Sequence, residues 1–156
     1  MKFVVLAVIV AMLAFFFFRS ANNKNLAAEN IEIGKQFLIE NRIKEGVIET
    51  DSGLQYEVLN KGEGNVHPSA NSTVEVHYHG LLLNDTVFDS SVNRGKSISF
   101  PLNQVIKGWT EGVQLMVVGD KFKFYIPSEL AYGDRATGSI EPGSLLIFEV
   151  ELLEIK

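Results

Sequence analysis

The alternation of apolar and polar positions divides the 156-residue chain into three regimes. From Phe3 to Phe18 there is no charged or strongly polar residue, and Lys2 and Arg19 flank the run. At 1.5 Å per residue this stretch spans roughly 24 Å, short of a ~30 Å hydrocarbon core unless the flanking cations snorkel. It reads as an uncleaved signal anchor over residues 1–19. A cleaved signal peptide is the alternative, but a cut after Ala21 puts Arg19 and the bulky Phe15–Phe18 where small residues are wanted, and a cut after Ala28 lies far from the run. The second regime, residues 20–50, begins with a polar stretch, Ser20–Asn25, expected as a flexible or helix-capping spacer. From Leu26 to Lys44, Leu26, Ile33, Phe37 and Ile43 with Ala27 and Ile39 recur at a loose helical spacing, which predicts an amphipathic helix ended by Gly46.

The third regime, residues 51–156, changes to short alternating segments separated by turns. Leu54, Tyr56 and Val58 share one face of a predicted strand, and Lys61–Asn65 makes a turn. Over Thr73–Gly80 the inward set is Val74, Val76, Tyr78 and Gly80, which leaves Glu75, His77 and His79 on the other face. Lys121–Ile126 points Phe122, Phe124 and Ile126 inward, and Leu146–Leu152 does the same with Leu146, Phe148, Val150 and Leu152. One segment breaks this period. After Gln104–Gly108, the single tryptophan, Trp109, begins a run in which Val113 and Met116 return at helical spacing. Several strands and one short helix make an α+β domain. Trp109 with Tyr78, Phe88, Phe100, Tyr132 and Phe148 is either ordinary core or the floor and walls of a cavity, and periodicity does not separate the two.

Composition narrows the chemistry. The formal net charge is −5; without Lys2 and Arg19, residues 20–156 carry −7. An acidic domain with no basic cluster argues against a nucleic-acid partner. With no cysteine there is no thiolate nucleophile, disulfide or sulfur-ligated zinc. His77 and His79, two apart on one strand face, are either a solvated face or half of a metal site whose other ligands are not evident. No nucleophile elbow, phosphate-binding glycine loop or spaced carboxylate pair occurs. An aromatic cavity with few charges suits a reaction that breaks no bond.

Six segments in order then carry a resemblance: Val76-His77-Tyr78-His79-Gly80, Val87-Phe88-Asp89-Ser90-Ser91, Phe100-Pro101-Leu102, Val105-Ile106-Lys107-Gly108-Trp109, Ala131-Tyr132-Gly133 and Leu146–Leu152. From near Asp51 to Lys156 the chain resembles FKBP-type peptidyl-prolyl cis-trans isomerases. Gly34–Leu38 and Ser52–Tyr56 are similar to the bacterial branch related to macrophage infectivity potentiator. The resemblance implies a strongly twisted antiparallel sheet of about five strands wrapped around one short helix, and catalysis of Xaa-Pro bond rotation without a cofactor or metal. It implies Trp109 as the floor beneath the proline ring, with Tyr78, Phe88, Phe100, Val105, Ile106 and Phe148 as walls and Ile140 closing the cavity. The Ile106 N–H and the Tyr132 hydroxyl would each donate to a substrate carbonyl. Asp89, otherwise a turn-forming aspartate before Ser90-Ser91, would face the twisting carbonyl, held by Tyr78 and Arg94.

The sequence departs from the family in two places. Ile98 stands where eukaryotic members carry a phenylalanine, and the loop Asp134–Gly143 is about a residue shorter than theirs. The partners implied are proline-containing polypeptides, tacrolimus or rapamycin, and a membrane through residues 3–18. The longer helical region that dimerises related bacterial proteins is mostly missing, which argues against dimerisation. The resulting expectation is an isomerase assisting the folding of exported proteins, single-pass in a bacterial inner membrane with its domain in the periplasm, or released there after cleavage. A tethered adaptor or chaperone that captures proline segments with little turnover is the alternative.

Overall fold

The protein is described here by a computed structural model, covering the backbone of residues 2–156 and the side chains of residues 8–156. It opens with one unbroken helix, α1 (Lys2–Asn41), of 40 residues, roughly 60 Å long at 1.5 Å per residue. The expected spacer Ser20–Asn25 is therefore helical. No glycine or proline precedes Gly34, and asparagine inside a helix costs less than about 1 kcal/mol, too little to break it. The helix stops at Asn41, three residues before the expected end, and Gly46, at φ +85°, closes the turn that follows.

The domain is a single antiparallel sheet of seven strands: β1 (Ile48–Glu49), β2 (Gln55–Asn60), β3 (Thr73–Leu81), β4 (Val87–Ser90), β5 (Ile98–Pro101), β6 (Lys121–Ile126) and β7 (Leu146–Ile155). Their order is β1-β2-β6-β7-β3-β4, with β5 pairing the other half of β3. β4 lies along Gly80 and β5 along Val74, so these two short strands form one interrupted lane, broken by α2 (Ser91–Arg94). Counted by lanes, the sheet has the expected five strands plus the two-residue β1. The predicted short helix is α3 (Lys107–Val113), which carries Trp109.

The concave face holds the main core. Leu54, Val74, Val76, Leu102, Val113, Met116, Phe124, Ile126, Leu146, Val150 and Leu152 are completely buried there, each contributing on the order of 1.5–3 kcal/mol by leaving water. The inward sets of β3, β6 and β7 are those the alternation predicts. β2 differs: Val58 is exposed, and Gln55, expected on the solvent face, is wholly buried.

Helix α1 explains the burial of Gln55, because it covers the back of the sheet. Phe37 and Leu38 pack on Tyr125, Leu145 and Ile147 in a second, smaller cluster, with the Phe37 and Tyr125 rings 5.6 Å apart. Gln55 donates to the Leu38 carbonyl at 2.9 Å and accepts from Asn41 Nδ2 at 3.0 Å. The docked stripe runs through Asn23, Ala27, Asn30, Gly34, Leu38 and Asn41, an i, i+3/i+4 pattern. The apolar stripe read from sequence is used only in part: Ala27 and Phe37 dock, whereas Ile33, Ile39 and Ile43 are exposed.

Candidate active site

Three neighbouring strands and one helix converge on Trp109. The alternation of β3 aims Tyr78 and Gly80 at the concave face; across the ladder Gly80 stands opposite Phe148 of β7 on one side and Asp89 of β4 on the other. A 3-10 turn at Leu102–Gln104 leads into α3. Its geometry is fixed by Leu102 N donating to Ser72 O at 2.9 Å and Thr110 Oγ1 donating to Leu102 O at 2.6 Å. Trp109, 6% exposed, meets Tyr78 and Phe148 edge-on, with centroids 5.4 and 5.2 Å away, and Phe100 at 5.4 Å. Edge-to-face pairs at these distances are attractive beyond their area burial.

Phe88 completes the aromatic wall by standing perpendicular to Phe148 at 5.3 Å. Gly80 makes that closure possible: a β-carbon there would sit 2.7 Å from Phe88 Cζ and 2.9 Å from Phe148 Cε1. Neither ring can yield without opening the wall. Gly80→Ala is therefore expected to destabilise the fold by about 1–3 kcal/mol, the usual cost of overpacking. Denaturant unfolding checks this, and wild-type stability would show that the wall tolerates displacement.

The polar side of the site is a triad of contacts. Asp89 accepts hydrogen bonds from the Tyr78 hydroxyl and the Arg94 guanidinium, while Arg94 Nη2 donates to the Tyr78 oxygen at 3.0 Å. Arg94 also lies 5.7 Å from the Tyr78 ring centroid, within cation–π range. Helix α2 sets this spacing: Ser90 Oγ caps it by accepting from Asn93 N at 3.1 Å, and Gly95 ends it. Burial pushes the Asp89 carboxyl up, but the bonds from Tyr78 and Arg94 outweigh it and hold the group below the ordinary carboxylate range. The Tyr78 hydroxyl moves the other way, raised by burial and by the adjoining carboxylate. Asp89 is thus an anion at neutral pH and Tyr78 a neutral donor.

A cavity of about 240 Å³ opens at this point, lined by Phe88, Asp89, Tyr132, Thr137, Gly138, Ser139 and Ile140. Tyr132 stands at its rim, 38% exposed, and Ile140 is buried. The rim itself is a tight turn in which Thr137 and Ile140 exchange both backbone hydrogen bonds at 2.9 Å. Of the residues expected from the sequence, Phe88, Asp89, Tyr132 and Ile140 line this cavity directly. Tyr78, Trp109 and Phe148 do not line it but are buried in the main core cluster, and Phe100, Val105 and Ile106 pack half-buried against that cluster. Ile98 is exposed on β5.

Sequence reasoning missed the serines. Ser91 Oγ accepts from Tyr78 N at 2.7 Å and pairs with His77 Nδ1 at 2.9 Å, while Ser90 Oγ pairs with His79 Nδ1 at 2.8 Å. The two histidines are half-buried struts bonded to the segment that carries Asp89, not a freely solvated face. Among the described residues no group of three or more His, Cys, Asp or Glu is placed to hold a metal ion. The pairing of β3 with β4, and so the histidine–serine contacts, is invisible to one-dimensional alternation.

Residues 64–153, more than half of the chain, match the sequence model of the FKBP-type peptidyl-prolyl cis-trans isomerases. The chain belongs to that family. Residues 9–58 match the domain found amino-terminal to FKBP-type isomerases. A relative from Aeromonas hydrophila, named FKBP-type peptidyl-prolyl cis-trans isomerase FkpA, is 56% identical over 130 residues, covering 83% of this chain and 48% of its own. The outer membrane protein MIP of Legionella longbeachae is 42% identical over 139 residues, covering 88% of this chain and 59% of its own. The crystal structure of FkpA from Escherichia coli superposes with a TM-score of 0.84 at 40% identity, covering 95% of this chain and 71% of that one. The chain thus spans about half to three fifths of the length of these two curated relatives, and its FKBP fold is the one expected from the six segments.

Proposed function

We propose that this FKBP-family chain is a peptidyl-prolyl cis-trans isomerase that assists the folding of exported proteins. The observation that carries this reading is the Tyr78–Asp89–Arg94 cluster, whose Asp89 lines a cavity walled by Ile140, of the same core cluster as Trp109, and by Phe88, packed against that cluster. Rotation about an Xaa-Pro bond is slow because roughly 18–20 kcal/mol of amide resonance is lost in the twisted state. Uncatalysed exchange takes tens to hundreds of seconds, and bringing it to milliseconds requires lowering the barrier by about 6 kcal/mol.

Each side chain has a part in that reduction. The proline ring sits over Trp109 against Phe88, Phe100, Val105 and Phe148, where water is excluded. The Ile106 N–H and the Tyr132 hydroxyl donate to carbonyls on either side of the rotating bond and hold the chain while one half turns. A dry apolar cavity favours the twisted amide, whose charge separation is smaller, over the planar polar one. Asp89 adds to this: a fixed anion facing the carbonyl oxygen disfavours the planar, charge-separated form more than the twisted one. No bond is made or broken.

The apolar run belongs to the same reading, as an anchor. From Val8 through Phe18 every side chain is exposed all round the helix, Phe15 to Phe18 by 65–79%, and a helix apolar all round finds its place in lipid. Among the described residues no helix is long and apolar enough to cross a membrane; the side chains of residues 3–7, part of the expected anchor, lie outside them. We place the domain on the periplasmic face of a bacterial inner membrane. The run is then retained in carbonate-washed membranes, and recovery in the soluble fraction would overturn the anchor.

The test of activity is cis-to-trans isomerisation of a short Xaa-Pro peptide by the full chain in mild detergent, with tacrolimus or rapamycin as competitors. Drug-sensitive acceleration is expected. A folded chain without acceleration would overturn the isomerase and leave a proline-binding adaptor.

A further inference from the structure

Beside the isomerase cavity lies a larger groove, about 390 Å³, between α1, the turn joining β3 to β4 and the rim turn. Its apolar part is Ile33, Leu82 and Leu83, backed by the buried Leu145, and its polar part includes Asn84, Ser139 and Glu141. Ser139 lines both spaces. The rim turn is the watershed: Thr137, Gly138 and Ile140 face the cavity, Glu141 faces the groove, and Ser139 belongs to each. A chain lying in the cavity reaches the groove by crossing the turn at Ser139, the residue that the two spaces share.

The groove is also built to persist. Asn30 of α1 donates to the Pro142 carbonyl at 2.9 Å and reaches Glu141 Oε2 at 3.4 Å, fixing the acidic side chain at the groove's edge. Ile33 is 50% exposed one helical turn from Asn30; it takes no part in the docked stripe, and its exposure leaves an apolar wall facing the groove.

We propose that this groove is a second subsite of the polypeptide-binding surface, taking an extended apolar segment of the client chain that flanks the proline, with a basic residue beside Glu141. The proposal rests on the isomerase reading, because continuity with that cavity through Ser139 selects the client chain over any other occupant. Binding this far from the rotating bond acts on the ground state and transition state alike, so it lowers KM and leaves kcat unchanged. Seating one further aliphatic side chain is worth about tenfold in affinity, equal to about 1.4 kcal/mol. Helix α1 thereby serves substrate recognition as well as support.

The experiment compares two peptides on the full chain: a short Xaa-Pro peptide, and the same sequence with about four residues of Leu and Lys added on each side, roughly 13 Å of extended chain each way. Turnover and, by fluorescence anisotropy, affinity are read for each. The long peptide is expected to show an about tenfold lower KM at equal kcat. Ile33→Asp is expected to abolish that advantage without altering turnover of the short peptide, and Glu141→Lys to reverse the preference for Lys-bearing over Glu-bearing flanks. A length advantage that survives both substitutions overturns the subsite, as does a peptide that gains nothing from its flanks. Sedimentation of Ile33→Asp covers the remaining occupant: a change in oligomeric mass with the length advantage intact would assign the groove to a second copy. Should the short peptide show no acceleration while anisotropy retains the Ile33-dependent gain, the isomerase reading falls and the groove stands.

Discussion

Asp89→Leu is expected to lower kcat/KM on a short Xaa-Pro peptide at least tenfold while moving the thermal midpoint by no more than about 4 °C. The two halves of that expectation have separate origins. The Asp89 and Arg94 side chains are 43% and 51% exposed, and exposed ion pairs contribute about 0–1 kcal/mol to stability, so folding barely depends on the carboxylate. The freed guanidinium is taken up by water and keeps its bond to Tyr78. In the proposed mechanism catalysis depends on the carboxylate more strongly, because with a client bound a charge at the cavity mouth acts on the rotating amide where water no longer screens it. Asp89→Asn separates charge from shape: it keeps an acceptor for the Tyr78 hydroxyl and removes the anion. If turnover in Asn falls with that in Leu, charge is what matters. If Asn resembles wild type, Asp89 only positions Tyr78; unchanged turnover in both removes it from the mechanism.

The largest expected loss of stability is at a glycine far from the chemistry. Gly143 has φ +75°, and a β-carbon there would lie 2.3 Å from the Ala27 carbonyl oxygen and 2.9 Å from Ala27 Cα. Those are backbone atoms in the docked stripe of α1. Strain for a left-handed alanine costs about 1–2 kcal/mol and overpacking typically 1–3 kcal/mol more, so Gly143→Ala is expected to lose about 2–5 kcal/mol in denaturant unfolding. Gly46→Ala is the matched control, with φ +85° and nothing within 4 Å, and should lose only the strain. Equal losses in the two would mean that α1 gives way easily. Gly143 N also donates to Gly133 O at 2.8 Å, closing the base of the loop that follows Tyr132. Turnover is therefore expected to fall in Gly143→Ala and to hold in Gly46→Ala.

The sequence was most legible where burial is one-sided and short-range. Phe122, Phe124 and Ile126, or Leu146, Phe148 and Val150, could be assigned to the core because a strand has a period of two and its inward residues are apolar. Within the candidate site, Trp109, Tyr78, Asp89 and Arg94 came from the family resemblance, and their contacts form one connected set. The back of the sheet was illegible for a physical reason. Alternation assumes that the second face meets water, whereas Gln55, Tyr125 and Ile147 are buried there by a helix that ends 14 residues before Gln55 in sequence. That helix hid its own docking face as well, since asparagines hold part of it. Asn30 and Asn41 can face the domain because each side-chain N–H finds an acceptor, Pro142 O and Gln55 Oε1, although Asn41 Oδ1 is buried without a partner among the described residues; hydrophobic periodicity counts both asparagines as solvent-facing. It therefore added the exposed Ile33, Ile39 and Ile43 to Ala27 and Phe37, which do dock.

The unbroken α1 has one consequence for how clients are met. With the apolar run held in lipid, eight residues separate Arg19 from Ala27, the point where Gly143 is clamped, a rise of about 12 Å of stiff helix. Asp134, two residues beyond Tyr132, borders the same cleft as Arg19 and Lys24. On the proposed anchor the domain is mounted on a mast rather than a leash. Its mouth would be held at one height above the bilayer, and a proline would be served when its chain passes through that narrow layer, whatever the concentration of prolines farther away.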